Sequence, residues 1–175
     1  MSSKKLHITN GDVLTNYLLN ELNFTGDFIT WGEMLCEGPT ETDLVSKTAL
    51  LKRQHFFNEF YNVEFDIPKF KKEIEKFCHL NSYDEIILWF EYDLFCHINM
   101  SAVLHLISHQ KTTTPISLVC SGRVKGIKNL CGLAELSSKN LMKHYKKRQN
   151  LSPDDIRRLA RNAAAAPYFN DGEYK

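Results

Sequence analysis

The chain has 175 residues, of which 43% are hydrophobic and 11% aromatic, enough apolar material for one packed domain with an appendage and incompatible with a disordered or collagen-like chain. Its formal charge of +1 conceals two unlike parts: residues 1–121 carry 10 Lys and Arg against 16 Asp and Glu, whereas residues 122–161 carry 11 against 3. Such asymmetry points either to an anionic partner for the basic part or to the two parts binding each other.

Residues 5–9 form a short apolar-rich run that stops at Asn10-Gly11, after which Val13, Leu14, Tyr17, Leu18 and Leu22 recur at helical spacing. This predicts a strand, a tight turn and a helix. Residues 27–31 (DFITW) are again β-rich and end at Gly32, and residues 85–90 (EIILWF) have the composition of a buried strand. The next helix is predicted over 43–61, and another over 68–79 with Pro68 in its first turn. The two make a helical insertion over about 41–80 between the second and third strands. Residues 94–109 are apolar on most sides, as expected of a helix packed on a sheet, and 116–120 form a further strand after Pro115. Ser137 or Ser138 can cap a helix to Lys147, and Ser152-Pro153-Asp154-Asp155 opens another that ends near Ala166 before Pro167.

Strands alternating with helices predict an α/β fold: a Rossmann-like, mainly parallel sheet of about four strands in the order 2-1-3-4. The α/β domain is expected over 1–135, a basic helical pair over 136–166 and a frayed tail over 167–175. No window approaches the ~20 apolar residues of a membrane span, and the start MSSKKLHITNGD lacks the apolar run of a signal peptide. A cytoplasmic protein with no membrane partner is therefore expected. Its five cysteines, an odd number without a CxxC pair, suggest neither a disulfide framework nor a structural zinc site.

In open α/β sheets the ligand crevice lies beyond the carboxyl ends of the strands, where the strand order reverses. Three polar segments follow strands and should meet there: Asn10-Gly11-Asp12, the run from Trp31 to Pro39, and Glu91-Tyr92-Asp93. Gly11 permits close backbone approach to a ligand, and the following helix offers free N–H groups to an anion. Asp12 and Asp93 are equally suited to cap their own helices. His97, four residues after Asp93, shares its helical face, so an Asp–His pair could orient a base or ligate a metal, or be structural.

Glu91, Glu33 and Glu37 are the further carboxylates of this edge. Gathered carboxylates raise one another's pKa, which suits acid–base chemistry, or they bind a divalent cation; otherwise they form a solvated rim. With Asp12 and Asp93 they are the candidate catalytic residues, while Asn10, Gly11, Trp31, Gly38, Tyr92 and His97 are candidate ligand-binding residues. Trp31, Trp89 and Tyr92 could stack on a planar ligand or belong to the core. Cys36 would serve as a nucleophile only if a cation or helix end lowered its pKa.

The basic part concentrates Lys139, Lys143, Lys146, Lys147, Arg148, Arg157, Arg158 and Arg161 on the last two helices. A helix-turn-helix comparison is loose, because the connection lacks glycine and no third helix closely precedes the pair. The arginines lie off the apolar stripe formed by Ile156, Leu159, Ala160 and Ala163. They are either a solvated face or a phosphate-binding one.

The segments HITNGD (7–12), WGEMLCEGP (31–39), LWFEYDLFCHIN (88–99) and GLAELS (132–137) together resemble the uncharacterised bacterial family DUF1835. The resemblance spans roughly residues 5–150 and implies no established reaction. It implies that the strand-end motifs are the family's hallmarks, carried here by Gly11, Asp12, Trp31, Glu33, Glu37, Gly38, Pro39, Trp89, Glu91 and Asp93, with Gly32, Tyr92 and His97 as departures. Three functions follow as expectations. The first is binding of a small phosphorylated or nucleotide-like ligand at the strand edge, with or without a divalent cation and catalysis. The second is a nucleic-acid module using Lys143, Lys146, Lys147, Arg148, Arg157 and Arg158, and the third a protein-interaction module.

Overall fold

The computed structural model describes residues 3–120, 128–129 and 131–164. Four parallel strands, β1 (Lys5–Thr9), β2 (Asp27–Thr30), β3 (Glu85–Trp89) and β4 (Ile116–Val119), stand in the order β2-β1-β3-β4 expected from right-handed crossovers. A fifth, β5 (Gln149–Asn150), pairs antiparallel with β4 and closes that edge. It was not anticipated: two exposed polar residues carry no strand periodicity, and only the edge of β4 selects them.

The helices are α1 (Asp12–Asn16), α2 (Lys47–Tyr61), α3 (Ile67–Ile74), α4 (Leu94–Ser108), α5 (Ser138–Lys146) and α6 (Pro153–Ala164). α1 continues as a wider π-helical turn over Tyr17–Glu21, and α3 tightens into 3-10 turns over Glu75–Ser82. Ser46 caps α2 and Asp66 caps α3, each accepting a backbone N–H three residues on. The helical insertion thus begins later than its apolar pattern suggests, because Ser46 sets the start. Pro167 and the tail lie outside the described residues.

Strand alternation sends side chains to two faces. Leu6, Ile8, Ile29, Ile86 and Leu88 join α2, α3, α4 and α6 in the larger core, to which α6 contributes Ala160 with Ile156 and Leu159 at its margin. Ile87, Trp89 and Val119 join Leu14, Leu18 and Leu141 in a second core under α1 and α5. The two basic helices therefore lie on opposite faces of the sheet with β5 between them, which is not helix-turn-helix geometry. Each completes one core of the sheet, so the expected boundary at 136 is not a break in packing. Among the described residues no helix is long and apolar enough to cross a membrane.

His7 occupies the second face and is fully buried. Its ring stacks on Phe28 at 4.8 Å, and its Nδ1 accepts the Trp89 indole N–H at 3.1 Å; Trp89 in turn stacks on Tyr145 of α5 at 5.6 Å. Burial pushes the imidazole pKa down from 6.5 to about 4. The unfolded chain therefore takes up a proton that the folded one refuses, and stability falls as pH drops from about 6.5 toward 4. The expected loss is about 3 kcal/mol across that window. Urea unfolding of the wild type and of His7→Gln should diverge in slope there, and parallel curves would show that His7 does not titrate this way.

Candidate functional site at the carboxyl edge of the sheet

After β2 the chain enters an irregular stretch over 31–46 that is partly buried, so its backbone polar groups need protein partners. Two side chains supply them. Arg53, on the inward face of α2 with Leu50 and Phe57, is 2% exposed. It donates from Nε to Glu33 Oε2 at 2.9 Å, from Nη1 to the Glu37 carbonyl at 2.6 Å and from Nη2 to the Met34 carbonyl at 2.9 Å. Asn99, fully buried on α4, accepts the Leu35 N–H at 3.2 Å and donates to the Glu33 carbonyl at 2.6 Å and to Asn10 Oδ1 at 2.9 Å. One amide thereby ties the ends of β1 and β2 to α4.

At Gly11, φ is +102°, a backbone that disfavours any side chain, and the space a Cβ would occupy is open. The chain turns there into α1. Behind it, hydroxyls of Thr9, Thr15 and Thr30 form a chain with O···O distances of 2.5 and 3.0 Å, linking β1, α1 and β2. Because α1 and α4 leave the adjacent strands β1 and β3 toward opposite faces, this is the predicted switch point.

On the β3 side of that point lie Glu91, Asp93 and Cys96, whose ligand-type atoms are all within 4.8 Å of one another. Glu91 is half-buried and accepts the Leu133 N–H at 2.6 Å, while Asp93 caps α4 by accepting the Cys96 N–H at 2.9 Å. Burial raises the Glu91 carboxyl above its usual range, and the charges of Asp93 and Glu135 add to this against the Leu133 N–H. The Cys96 thiol, which accepts from Asn10 Nδ2 at 3.0 Å, is pushed up to about 12, chiefly by burial. A cation here would meet carboxylate oxygens first, which suits a hard divalent ion.

The other expected site residues divide. Tyr92 is 64% exposed at this edge, and Asn10 belongs to the cluster through its bonds to Asn99 and Cys96. His97 lies in the first turn of α4, half-buried, its N–H bonded to the Asp93 carbonyl. Asp12 does not cap its helix, since Gly11 holds that position. Asp12 instead lines a separate cleft of about 180 Å³ on the β2 side, with Thr30, Gly32 and Phe70. Asp12 and Glu91 thus stand at different parts of the strand edge.

Several candidates prove structural. Glu33 is 5% exposed and consumed by Arg53, whereas Glu37 stays exposed with its carboxylate accepting the Tyr61 hydroxyl. Trp31 is 1% exposed and packs on Phe70, so it cannot stack on a ligand, and Trp89 is equally enclosed. Gly38, at φ +76°, lies where a Cβ would meet the Phe56 ring at 2.7 Å, so its bareness serves packing. The Cys36 thiol is raised by burial and by Glu37, the opposite of nucleophile activation. In the basic part, Arg148 forms a two-pronged pair with Glu85 at 2.6 and 3.0 Å, at the amino end of β3 and so away from the acidic edge. Arg157 and Arg158 pair with Asp154 and Asp155 of their own helix, leaving Lys143, Lys146 and Lys147 exposed.

Sequence reasoning missed Arg53 and Asn99. Both were visible as polar residues on apolar helical faces, Arg53 between Leu50 and Phe57 and Asn99 between Cys96 and Val103. Fold and edge define a five-stranded, mostly parallel α/β protein with an acidic strand-end cluster. Neither family models nor curated proteins nor solved structures match the chain.

Replacing Arg53 by Met should strand the buried Glu33 carboxylate and the Met34 and Glu37 carbonyls, costing about 3–5 kcal/mol in urea unfolding. A loss below about 1 kcal/mol would mean that the loop repacks without its cation.

Proposed function

We propose that the protein binds a small phosphorylated or nucleotide-like ligand at the β1–β3 switch point of a Rossmann-like sheet, with a divalent cation between the ligand and the carboxylates of Glu91 and Asp93. The observation that carries the reading is the convergence of Glu91, Asp93 and Cys96 within 4.8 Å beside the Asn10–Asn99 pair and the open Gly11 turn. Two carboxylates alone repel a phosphate, and no Lys or Arg among the described residues pairs with either of them. A cation resolves that conflict by supplying positive charge between the carboxylates and the phosphate. Exposed Tyr92 offers a face for a planar group, and Glu91, with its raised pKa, could act as an acid if the ligand is a substrate. Membership of DUF1835 is proposed on the four motif segments alone.

The nucleic-acid reading is weaker, since three of its six residues are already paired within the fold.

Thermal unfolding with ATP should show stabilisation only when Mg²⁺ or Mn²⁺ is present, by about 2.7 kcal/mol at a hundredfold excess over Kd. Glu91→Gln keeps an acceptor for the Leu133 N–H, and Asp93→Asn keeps a helix cap. Both variants should fold and lose the cation-dependent shift. Failure of a broad panel of nucleotides, sugar phosphates and divalent ions to stabilise the wild type would refute the proposal.

A further inference from the structure

The side of the sheet covered by α5 carries a second cavity, toward the amino end of β1 and so away from the switch point. Lys5, His7 and the segment 22–25 form one wall and Met142 and Tyr145 of α5 the other, around a volume of about 410 Å³. His7 is the polar group that packing leaves unfinished there. It is fully buried, with its ring set among Phe24, Phe28 and Trp89.

An indole N–H can only donate, so its bond to His7 leaves Nδ1 as the lone-pair nitrogen. Burial keeps the ring neutral at neutral pH, and its one proton therefore sits on Nε2. That N–H is buried and has no hydrogen-bond partner among the described residues; the Thr25 carbonyl acts on the ring without meeting hydrogen-bond geometry. A buried donor left unmet is costly, and this one belongs to a side chain that borders a cavity. Lys5 donates to the Tyr145 hydroxyl at 2.8 Å, which lodges its ammonium in the same wall with two N–H groups to spare. Glu85 and Arg148, the other charges acting on His7, are spent on each other. Among the described residues no Asp or Glu lines the cleft, while Leu22, Phe24 and Met142 give it apolar surface.

We infer that this cleft is a second binding site, for a small organic carboxylate with an apolar body: one carboxylate oxygen accepts the His7 Nε2–H, the Lys5 ammonium faces the other, and the hydrocarbon or ring lies along Leu22, Phe24 and Met142. A neutral donor beside one ammonium matches a single negative charge, which favours a monocarboxylate over a phosphate dianion or a dicarboxylate. Burial of the ligand's apolar body against the cleft adds to the affinity. Nε2 is shielded from solvent, so seating the carboxylate requires a small outward shift of the exposed edge formed by Asn23 and Thr25.

The test is titration of the full chain with phenylacetate, followed by calorimetry and by the imidazole nitrogen and proton signals of His7 in NMR, with methyl phenylacetate and phenethylamine as the neutral and cationic counterparts. One-to-one saturable binding of phenylacetate is expected, at least about tenfold tighter than the ester, with no binding of the amine. The Nε2–H proton should move downfield along the same isotherm, a response that a purely structural histidine would not give. Lys5→Met keeps the aliphatic stem and should weaken phenylacetate at least about tenfold while leaving the ester unchanged. Met142→Trp should block both by filling the cleft from α5, with folding of each variant followed by circular dichroism. Absence of saturable phenylacetate binding to the wild type, equal affinity for the ester, a His7 Nε2–H signal that stays in place at saturation, or unchanged binding by both folded variants would overturn the inference.

Discussion

The carboxyl edge of this sheet depends on one buried cation. The stretch after β2 folds inward instead of running over the surface, and its carbonyls would be orphaned without Arg53. A guanidinium suits the task because its donors fan out in a plane and reach Glu33, Met34 and Glu37 at once. Glu33 supplies the counter-charge that makes burial tolerable, although desolvation still pulls its carboxyl upward. Asn99 performs the matching work from α4, so the loop is held from two helices and its position relative to β1 is fixed.

With that loop anchored, the strand edge divides into two environments. Toward β3, Glu91 and Asp93 lie beside a polar network that includes Asn10. Toward β2, a separate cleft is lined by Asp12, Thr30, Gly32 and Phe70. Among the described residues no side chain of the basic helices pairs with Glu91, Asp93 or Asp12. Among the described residues the basic part's ion pair with the body, Arg148 with Glu85, lies at the opposite end of β3, where the guanidinium and the Ser117 hydroxyl outweigh burial and hold the carboxyl below its usual range. The near-zero total charge thus reflects helices that cover the two cores, with their apolar stripes inward and much of their charge outward.

The strands, their order and the helices were legible in the sequence because each follows from local periodicity and one handedness rule. β5 was not, since Gln149 and Asn150 become a strand only through β4. The site was legible in part. The motif segments do converge on the edge, and Asn10, Glu91 and Asp93 occupy it. What sequence could not distinguish was which carboxylates would be spent on folding: Glu33 reads like Glu91 until Arg53 is seen to claim it. Trp31 likewise reads as a strand-end aromatic, and only the packing of α3 through Phe70 shows that it is enclosed.

The central claim is that Glu91 and Asp93 face each other in order to hold a cation, and anomalous diffraction addresses it directly. Crystals grown with Mn²⁺ should show one strong anomalous peak bridged by oxygens of Glu91 and Asp93, at the about 2.1–2.3 Å of oxygen-ligated divalent ions. A fully occupied ion elsewhere with this cluster empty, or no ordered ion at millimolar Mn²⁺, would contradict the account.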